Sequence, residues 1–269
     1  MLITSLQNPR IKNLVKLKNR RKRDDEKVIL IEGYKAILLA LDNKFKLDEI
    51  YYCPELYLGS NETALVERAI QGGAEAYQLT PEVFAKVAYR DRPEGLIAVA
   101  SQFHHSLSGI PVNDHSLFLV AEAIEKPGNL GTMLRTADAA GVEGVIVCDG
   151  RTDVYNPNVV RASIGTLFTV PIAHADTKEF FEWKKANDVK LIATTPSATK
   201  MFTDVDLTGK VALAVGTEQV GLPDYWIDNA DEKVLIPMYG QADSLNAAAS
   251  ATLVLYEAVR QRREKGILD

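Results

Sequence analysis

The chain has 269 residues, of which 46% are hydrophobic and 25% charged, and its formal net charge is -5. That length accommodates two modest cores, and that composition is ordinary for a globular protein; no apolar run is long enough to span a bilayer, so no membrane partner and a cytoplasmic location are expected. Cys53 and Cys148 stand far apart and the four histidines show no ligand spacing, which predicts buried thiols and argues against a disulfide framework or a bound metal.

The amino terminus departs from the acidic average. No acidic residue precedes Asp24, and Arg10, Lys12, Lys16, Lys18, Arg20, Arg21, Lys22 and Arg23 form a basic segment. Either it is a solvated helix face or it neutralises RNA phosphates without reading their sequence. Like charges at helical spacing repel unless a polyanion relieves them, so Arg10, Lys12, Arg20 and Arg21 are expected RNA contacts. Asn8-Pro9 supplies a cap and a first-turn proline, and Ile11, Leu14, Val15 and Leu17 supply an apolar stripe, predicting a basic amphipathic helix. Beyond it, strands over 28–31, 47–52, 76–79 and 96–100 alternate with helices over 34–41, 64–70 and 81–87, the last one capped by Thr80. This is an α/β module. Over 101–114 the pattern lapses into Ser, His, Gly, Pro, Asn and Asp, which predicts domains at 1–103 and 115–269 with a linker over 104–114.

The second half reads as apolar strands over 116–121, 144–148, 190–193, 211–215 and 233–236 separated by helical stretches. Continuous apolar strands predict a parallel sheet covered on both faces. Asn156-Pro157 opens a helix that carries Arg161 and Ser163 ahead of Gly165. The Ala-rich stretch from Leu245 to Arg263 predicts a long helix packed by Leu253, Val254 and Val259. Three glycine-containing stretches follow or end strands: 125–131 running on to Arg135, 215–221, and 236–246. Their spacing does not fit a Rossmann or P-loop phosphate turn, since no Gly-x-Gly-x-x-Gly follows a first strand and Gly216 to Gly221 continues into Leu222-Pro223, which argues against NAD and ATP.

These stretches resemble the three motifs of the SpoU/TrmH family of RNA methyltransferases over about Leu117 to Glu257. Asn129, Gly131, Arg135, Thr136, Ala137 and Gly141 are similar to the first motif, Gly216, Glu218 and Gly221 to the second, and Ile236-Pro237-Met238 with Ser244-Leu245-Asn246 to the third. Asn246 is followed by Ala-Ala-Ala-Ser where the family more often has Val-Ser-Val-Ala. The amino-terminal half resembles, more loosely, the substrate-binding module often attached to this family, on its basic helix and Ile31-Glu32-Gly33. The resemblance implies a trefoil-knotted α/β domain that binds S-adenosylmethionine, forms a homodimer and methylates a ribose 2′-hydroxyl in RNA. A smaller ribosomal-protein-like α/β module would precede it.

The resemblance also implies site residues. Gly216, Ile236, Met238 and Leu245 are expected around the cofactor, where aliphatic walls bury a flat adenine and Gly216 lets the ligand approach; for Ile236 and Leu245 ordinary core is the alternative. Arg135 is the first catalytic candidate. A guanidinium stays protonated, so its expected work is gripping a phosphate or ribose oxygen and stabilising developing alkoxide. Asn129 and Asn246 orient the ribose or tie loops together, Ser244 donates to a substrate or loop oxygen, and Glu218 either caps or pairs structurally or positions substrate. Arg161 holds an RNA phosphate or a surface ion pair. Ribosomal RNA is the expected substrate, with transfer RNA, a base methyl acceptor, or a non-catalytic RNA-binding or ribosome-assembly protein as alternatives.

Overall fold

The computed structural model describes residues 1–103 and 105–268; His104, expected in the linker, and Asp269 lie outside the described residues. The chain forms two compact units. The first holds 1–103 together with 153–169; the second holds the stretch up to Thr152 and everything from Val170 onward. The amino-terminal unit therefore includes a stretch taken from within the second half of the sequence.

The first unit is built from β1 (Leu2–Ile3), α1 (Pro9–Lys16), α2 (Arg20–Glu26), β2 (Val28–Glu32), α3 (Tyr34–Asp42), β3 (Leu47–Tyr52), α4 (Glu62–Gln71), β4 (Glu75–Leu79), α5 (Pro81–Val87) and β5 (Leu96–Ser101). Among the described residues its sheet has the order β1-β4-β3-β5-β2, with β5 antiparallel to both its neighbours. Asn8 caps α1 as expected, its Oδ1 accepting from the Arg10 N–H at 2.9 Å, and Ile11, Leu14 and Leu17 bury against Val83, Phe84 and Leu79. Thr80 makes no side-chain cap; Pro81 alone starts α5. The basic segment is two helices rather than one, because the chain breaks after Leu17 and Asn19 caps α2. Arg23 of that segment is inside the unit, bonded to the Leu17 and Lys18 carbonyls at 2.8 and 2.9 Å and paired with Asp153 at 2.5 Å.

The second unit opens with residues 105–114, read as linker from their polarity but partly packed. His105 bridges to Ala173, and Ile110 is buried against Gly144. β6 (Leu117–Glu122), α6 (Pro127–Ala139) and β7 (Gly144–Cys148) follow. The chain then passes through α7 (Pro157–Ser163), which belongs to the first unit and packs on β2 there. Gly165, just beyond α7 and at φ +89°, lies so close to α3 that a Cβ would sit 2.6 Å from the Ala36 Cα. Back in the second unit come β8 (Ile172–Ala175), α8 (Thr177–Asn187), β9 (Lys190–Thr194), β10 (Lys200–Met201), β11 (Val211–Val215), α9 (Asp224–Asp228), β12 (Glu232–Leu235) and α10 (Ala247–Glu264).

Among the described residues, seven strands run in the order β10-β12-β9-β11-β6-β7-β8, all pairs parallel. β6, β7 and β11 are buried along their whole length, as a sheet covered on both faces requires. Strand order advances from β6 through β7 to β8 on one side and continues through β11 and β9 on the other. The loops after β6 and β11 therefore leave the sheet where its order reverses, the place where open parallel sheets bind ligands. α10 buries Ala247, Ala248, Ala251, Val254, Leu255 and Ala258, so Val254 packs as expected while Leu253 is 41% exposed and does not. Near its end Arg262 is buried and donates to the Leu207, His115 and Gly209 carbonyls, which ties the helix to the strand starts.

Glu122, the last residue of β6, is 4% exposed, and its Oε2 has no hydrogen-bond partner among the described residues. Burial, with Asp149 adding to it and Arg151 opposing it, pushes its carboxyl up to about 7 from the ordinary 4.5. Between those two values the folded state holds a proton that the unfolded chain has lost, so stability is greatest at low pH and falls as pH rises through 7. Glu122→Gln removes that dependence. Urea unfolding at pH 5 and pH 8 is expected to show the variant gaining up to about 3 kcal/mol relative to the parent at the higher pH; an equal offset at both would contradict the buried-carboxyl account.

Candidate active site

Three loops meet at the carboxyl ends of β6, β11 and β12. The loop after β11 closes on itself: the Thr217 N–H donates to the Gly221 carbonyl at 3.1 Å and the Gly221 N–H to the Thr217 carbonyl at 3.0 Å. A Cβ on Gly216 would lie 2.2 Å from the Gly221 oxygen, while Gly221 sits at φ +70°. Gly216 is therefore required by the chain's own closure, besides lining the neighbouring cavity.

That closure presents Glu218 to the other two loops. Its Oε1 accepts from Asn129 Nδ2 at 2.7 Å and from Asn246 Nδ2 at 2.5 Å, and its Oε2 accepts from Lys126 Nζ. Asn246 Nδ2 also reaches Asn129 Oδ1 at 3.1 Å, and Asn246 Oδ1 caps α10 by accepting from the Ala248 and Ala249 N–H groups at 3.0 and 3.3 Å. Lys126 and then Asn129 hold the Glu218 carboxyl below its ordinary range. A carboxylate so engaged stays ionised and has little capacity left to accept a substrate proton. Of the two readings left open for it, the contacts favour pairing.

Beside this junction lies a cavity of about 410 Å³ at the carboxyl ends of β9, β11 and β12. Gly216, Ile236, Met238 and Leu245 all line it, with Ser244 and Glu218 on its rim. Val215, Leu222 and Ala247 add apolar wall, and Thr194 and Ser250 contribute hydroxyls that the sequence reading did not single out. Thr194 ends a parallel strand, a position that marks ligand sites, so that signal was available. A smaller recess of about 60 Å³ adjoins, bounded by Lys126, Asn129, Glu218 and Ala247. Lys126 was also missed, though it sits three residues before Asn129. The cavity suits an adenosyl group: its walls are mostly aliphatic, and the buried Thr194 Oγ1 lacks a hydrogen-bond partner among the described residues.

Arg135 is not part of this junction. It is on the exposed face of α6, outside the lining of both cavities, and makes no ion pair among the described residues. The expected RNA contacts divide. Arg10 is held by Glu49 and Glu75 and lies 4.3 Å over the Tyr77 ring, and Arg20 reaches Asp24 at 3.4 Å, so much of their charge is neutralised within the protein. Lys12 and Arg21 are exposed, as is Arg161, which donates to Asn158 Oδ1 at 3.0 Å.

With this geometry in view, the model of the SpoU rRNA Methylase family matches residues 116–256, and that of an MRM3-like substrate binding domain matches 8–98. The chain is 29% identical over 254 residues to the 23S rRNA (guanosine(2553)-2′-O)-methyltransferase RlmP of Bacillus subtilis, covering 94% of this chain and 97% of that one. It is 33% identical to the 23S rRNA (uridine(2479)-2′-O)-methyltransferase of Streptomyces viridochromogenes, covering 91% and 87%. Among solved structures it superposes on an AdoMet-bound rRNA methyltransferase from Sinorhizobium meliloti with a TM-score of 0.89 and 31% identity, over 100% of this chain and 99% of that one.

Two substitutions at one position separate the roles of Asn246. Asn246→Asp keeps an oxygen for the α10 cap but sets a second negative charge against Glu218, whereas Asn246→Ala loses both. We expect the Asp variant to destabilise by about 1 kcal/mol or more through that repulsion, and the Ala variant by about 1–2 kcal/mol through the lost cap. Denaturation at 0.05 and 0.5 M salt checks this: the Asp penalty should shrink with salt and the Ala penalty should not.

Proposed function

The chain belongs to the SpoU rRNA methylase family, and from that premise we propose that it transfers a methyl group from S-adenosylmethionine to a ribose 2′-hydroxyl of ribosomal RNA. The observation that carries the reading is the junction of Asn129, Glu218 and Asn246, which joins three loops beside a cavity of adenosyl size. Relatives named as 23S rRNA 2′-O-methyltransferases along nearly the whole chain support the choice of RNA.

When bound, S-adenosylmethionine supplies a sulfonium methyl that an oxygen nucleophile can displace directly. The chain's work is to position the ribose, to keep bulk water off the methyl group and to leave the proton released from the 2′-hydroxyl an exit to solvent. Ile236, Met238 and Leu245 wall the cofactor, Asn129, Glu218 and Asn246 hold the loops, and Ser244 faces the acceptor. Arg135 serves as an electrostatic clamp on a phosphate or ribose oxygen, because its guanidinium does not deprotonate in proteins.

The remaining features follow as part of the same reading. The carboxyl-terminal loops form the trefoil knot that the family resemblance implies. A second copy pairs through α6 and α10, which are joined by a 3.1 Å contact between the Thr136 and Thr252 hydroxyls and expose Leu253 and Tyr256 at 41% and 47%. That face also carries Arg135, so pairing brings the clamp to a site that one copy leaves incomplete. Residues 1–103 form an RNA-recruiting domain ahead of the methyltransferase domain at 115–269, with Lys12 and Arg21 as exposed cations of the first, joined by Arg161 from the 153–169 segment that packs in the same unit. No helix among the described residues is long and apolar enough to cross a membrane, and a ribosomal RNA substrate places the work in the cytoplasm.

Ribosomal RNA from a strain lacking this protein, incubated with it and S-adenosylmethionine, is expected to yield a 2′-O-methyl nucleoside on digestion and mass spectrometry. A methylated base, methylation of transfer RNA alone, or no product would overturn the reading. In the same assay Arg135→Lys is expected to slow transfer by roughly 10²-fold with unchanged S-adenosylhomocysteine affinity; full turnover would remove the clamp.

A further inference from the structure

We infer that the hydroxyls of Thr194 and Ser250 form a polar floor in the large cavity and hydrogen-bond the adenosyl group of the cofactor. The inference rests on the reading of that cavity as the S-adenosylmethionine site.

Thr194 stands out from its surroundings. Its Oγ1 is buried and unpartnered among the described residues, whereas the hydroxyl of the next residue, Thr195, is 3.0 Å from Ser197 Oγ. Alternation along β9 sends Leu191 and Ala193 into the core beneath α8, so Thr194 faces the opposite side, where α10 brings Ala247 and Ser250 to the same wall. The oxygen is sheltered while the residue lines the cavity, so rotation about χ1 between staggered positions turns the hydroxyl out onto a ligand. A buried hydroxyl without a partner is a standing cost to the fold, and native proteins keep few of them.

Ser250 complements it. Hydroxyls inside helices commonly bond the carbonyl four residues back, as Thr252 does with Ala248 at 2.8 Å. The Ser250 side chain makes no such bond among the described residues, while its backbone N–H donates to the Asn246 carbonyl at 2.9 Å. It also stands where the family pattern more often has Ala. An adenosyl group presents apolar faces and edges that both donate and accept. Val215, Leu222 and Ile236 suit the faces, and a hydroxyl, which can donate and accept, suits the edges.

The full chain and its Thr194→Val, Thr194→Ser and Ser250→Ala variants are titrated calorimetrically with S-adenosylhomocysteine and with 5′-methylthioadenosine, and melted without ligand. Thr194→Val and Ser250→Ala are expected to weaken both ligands, each by about tenfold. Thr194→Ser is expected to stay within about threefold of the parent, and Thr194→Val to melt no lower than it, since a methyl replaces an unpaired hydroxyl in an apolar wall. Parental affinity in Thr194→Val and Ser250→Ala overturns the inference while leaving the cofactor reading intact. A penalty confined to S-adenosylhomocysteine overturns it too, by placing the hydroxyls on the amino-acid end, and a lowered melting point for Thr194→Val overturns it by assigning a structural role. A folded parent that binds neither ligand fails the cofactor reading itself, and the inference with it.

Discussion

A single carboxylate holds the site together. Glu218 takes hydrogen bonds from Asn129, 89 residues earlier, and from Asn246, 28 residues later, and pairs with Lys126. Bonds of this charge-assisted kind contribute about 1.5–3 kcal/mol each when sheltered. Here only the Asn129 bond is part-buried and the other two are exposed, so their main effect is to choose one loop arrangement among many. Each partner is itself fixed: Glu218 by the closure between Thr217 and Gly221, Asn246 by its cap on α10, and Asn129 by the first turn of α6. The cavity walls then follow from where these three segments are held.

The sheet explains why those segments meet at all. Parallel strands deliver their carboxyl ends to one edge, and the reversal of order between β6 and β11 separates the helices that would otherwise cover it. The loop of the first motif leaves β6, and that of the second leaves its neighbour β11. Methyl transfer asks little of the protein beyond alignment, dryness, a stabilising charge and an exit for the hydroxyl proton, and such a gap offers the first two.

Much of this was legible in the sequence, for physical reasons that differ by element. Asn8-Pro9, Asn156-Pro157 and the glycine loops act locally, through caps and backbone freedom, so their effect is written within a few residues. The buried parallel sheet was legible because β6, β7 and β11 are apolar throughout. What failed to show were pairings made across the chain. Arg10 and Arg23 read as free cations, yet their carboxylates come from Glu49, Glu75 and Asp153, up to 130 residues away. On α10 Val254 packs as its sequence suggests, but Leu253 does not, because the buried face is largely alanine, which carries little periodic signal. Short β1, β8 and β10 carry little signal of their own. The membership of 153–169 in the first unit depends on the close approach of Gly165 to Ala36, which no local pattern announces.

Amide hydrogen exchange with and without S-adenosylmethionine tests most directly whether three distant loops form one cofactor site. Protection is expected to appear together over 216–221 and 236–246 and to extend to 126–130 through Glu218, and in Glu218→Ala the last segment should lose its share. Protection confined to one of these loops, or located at the first unit, would contradict the convergence on which the account depends.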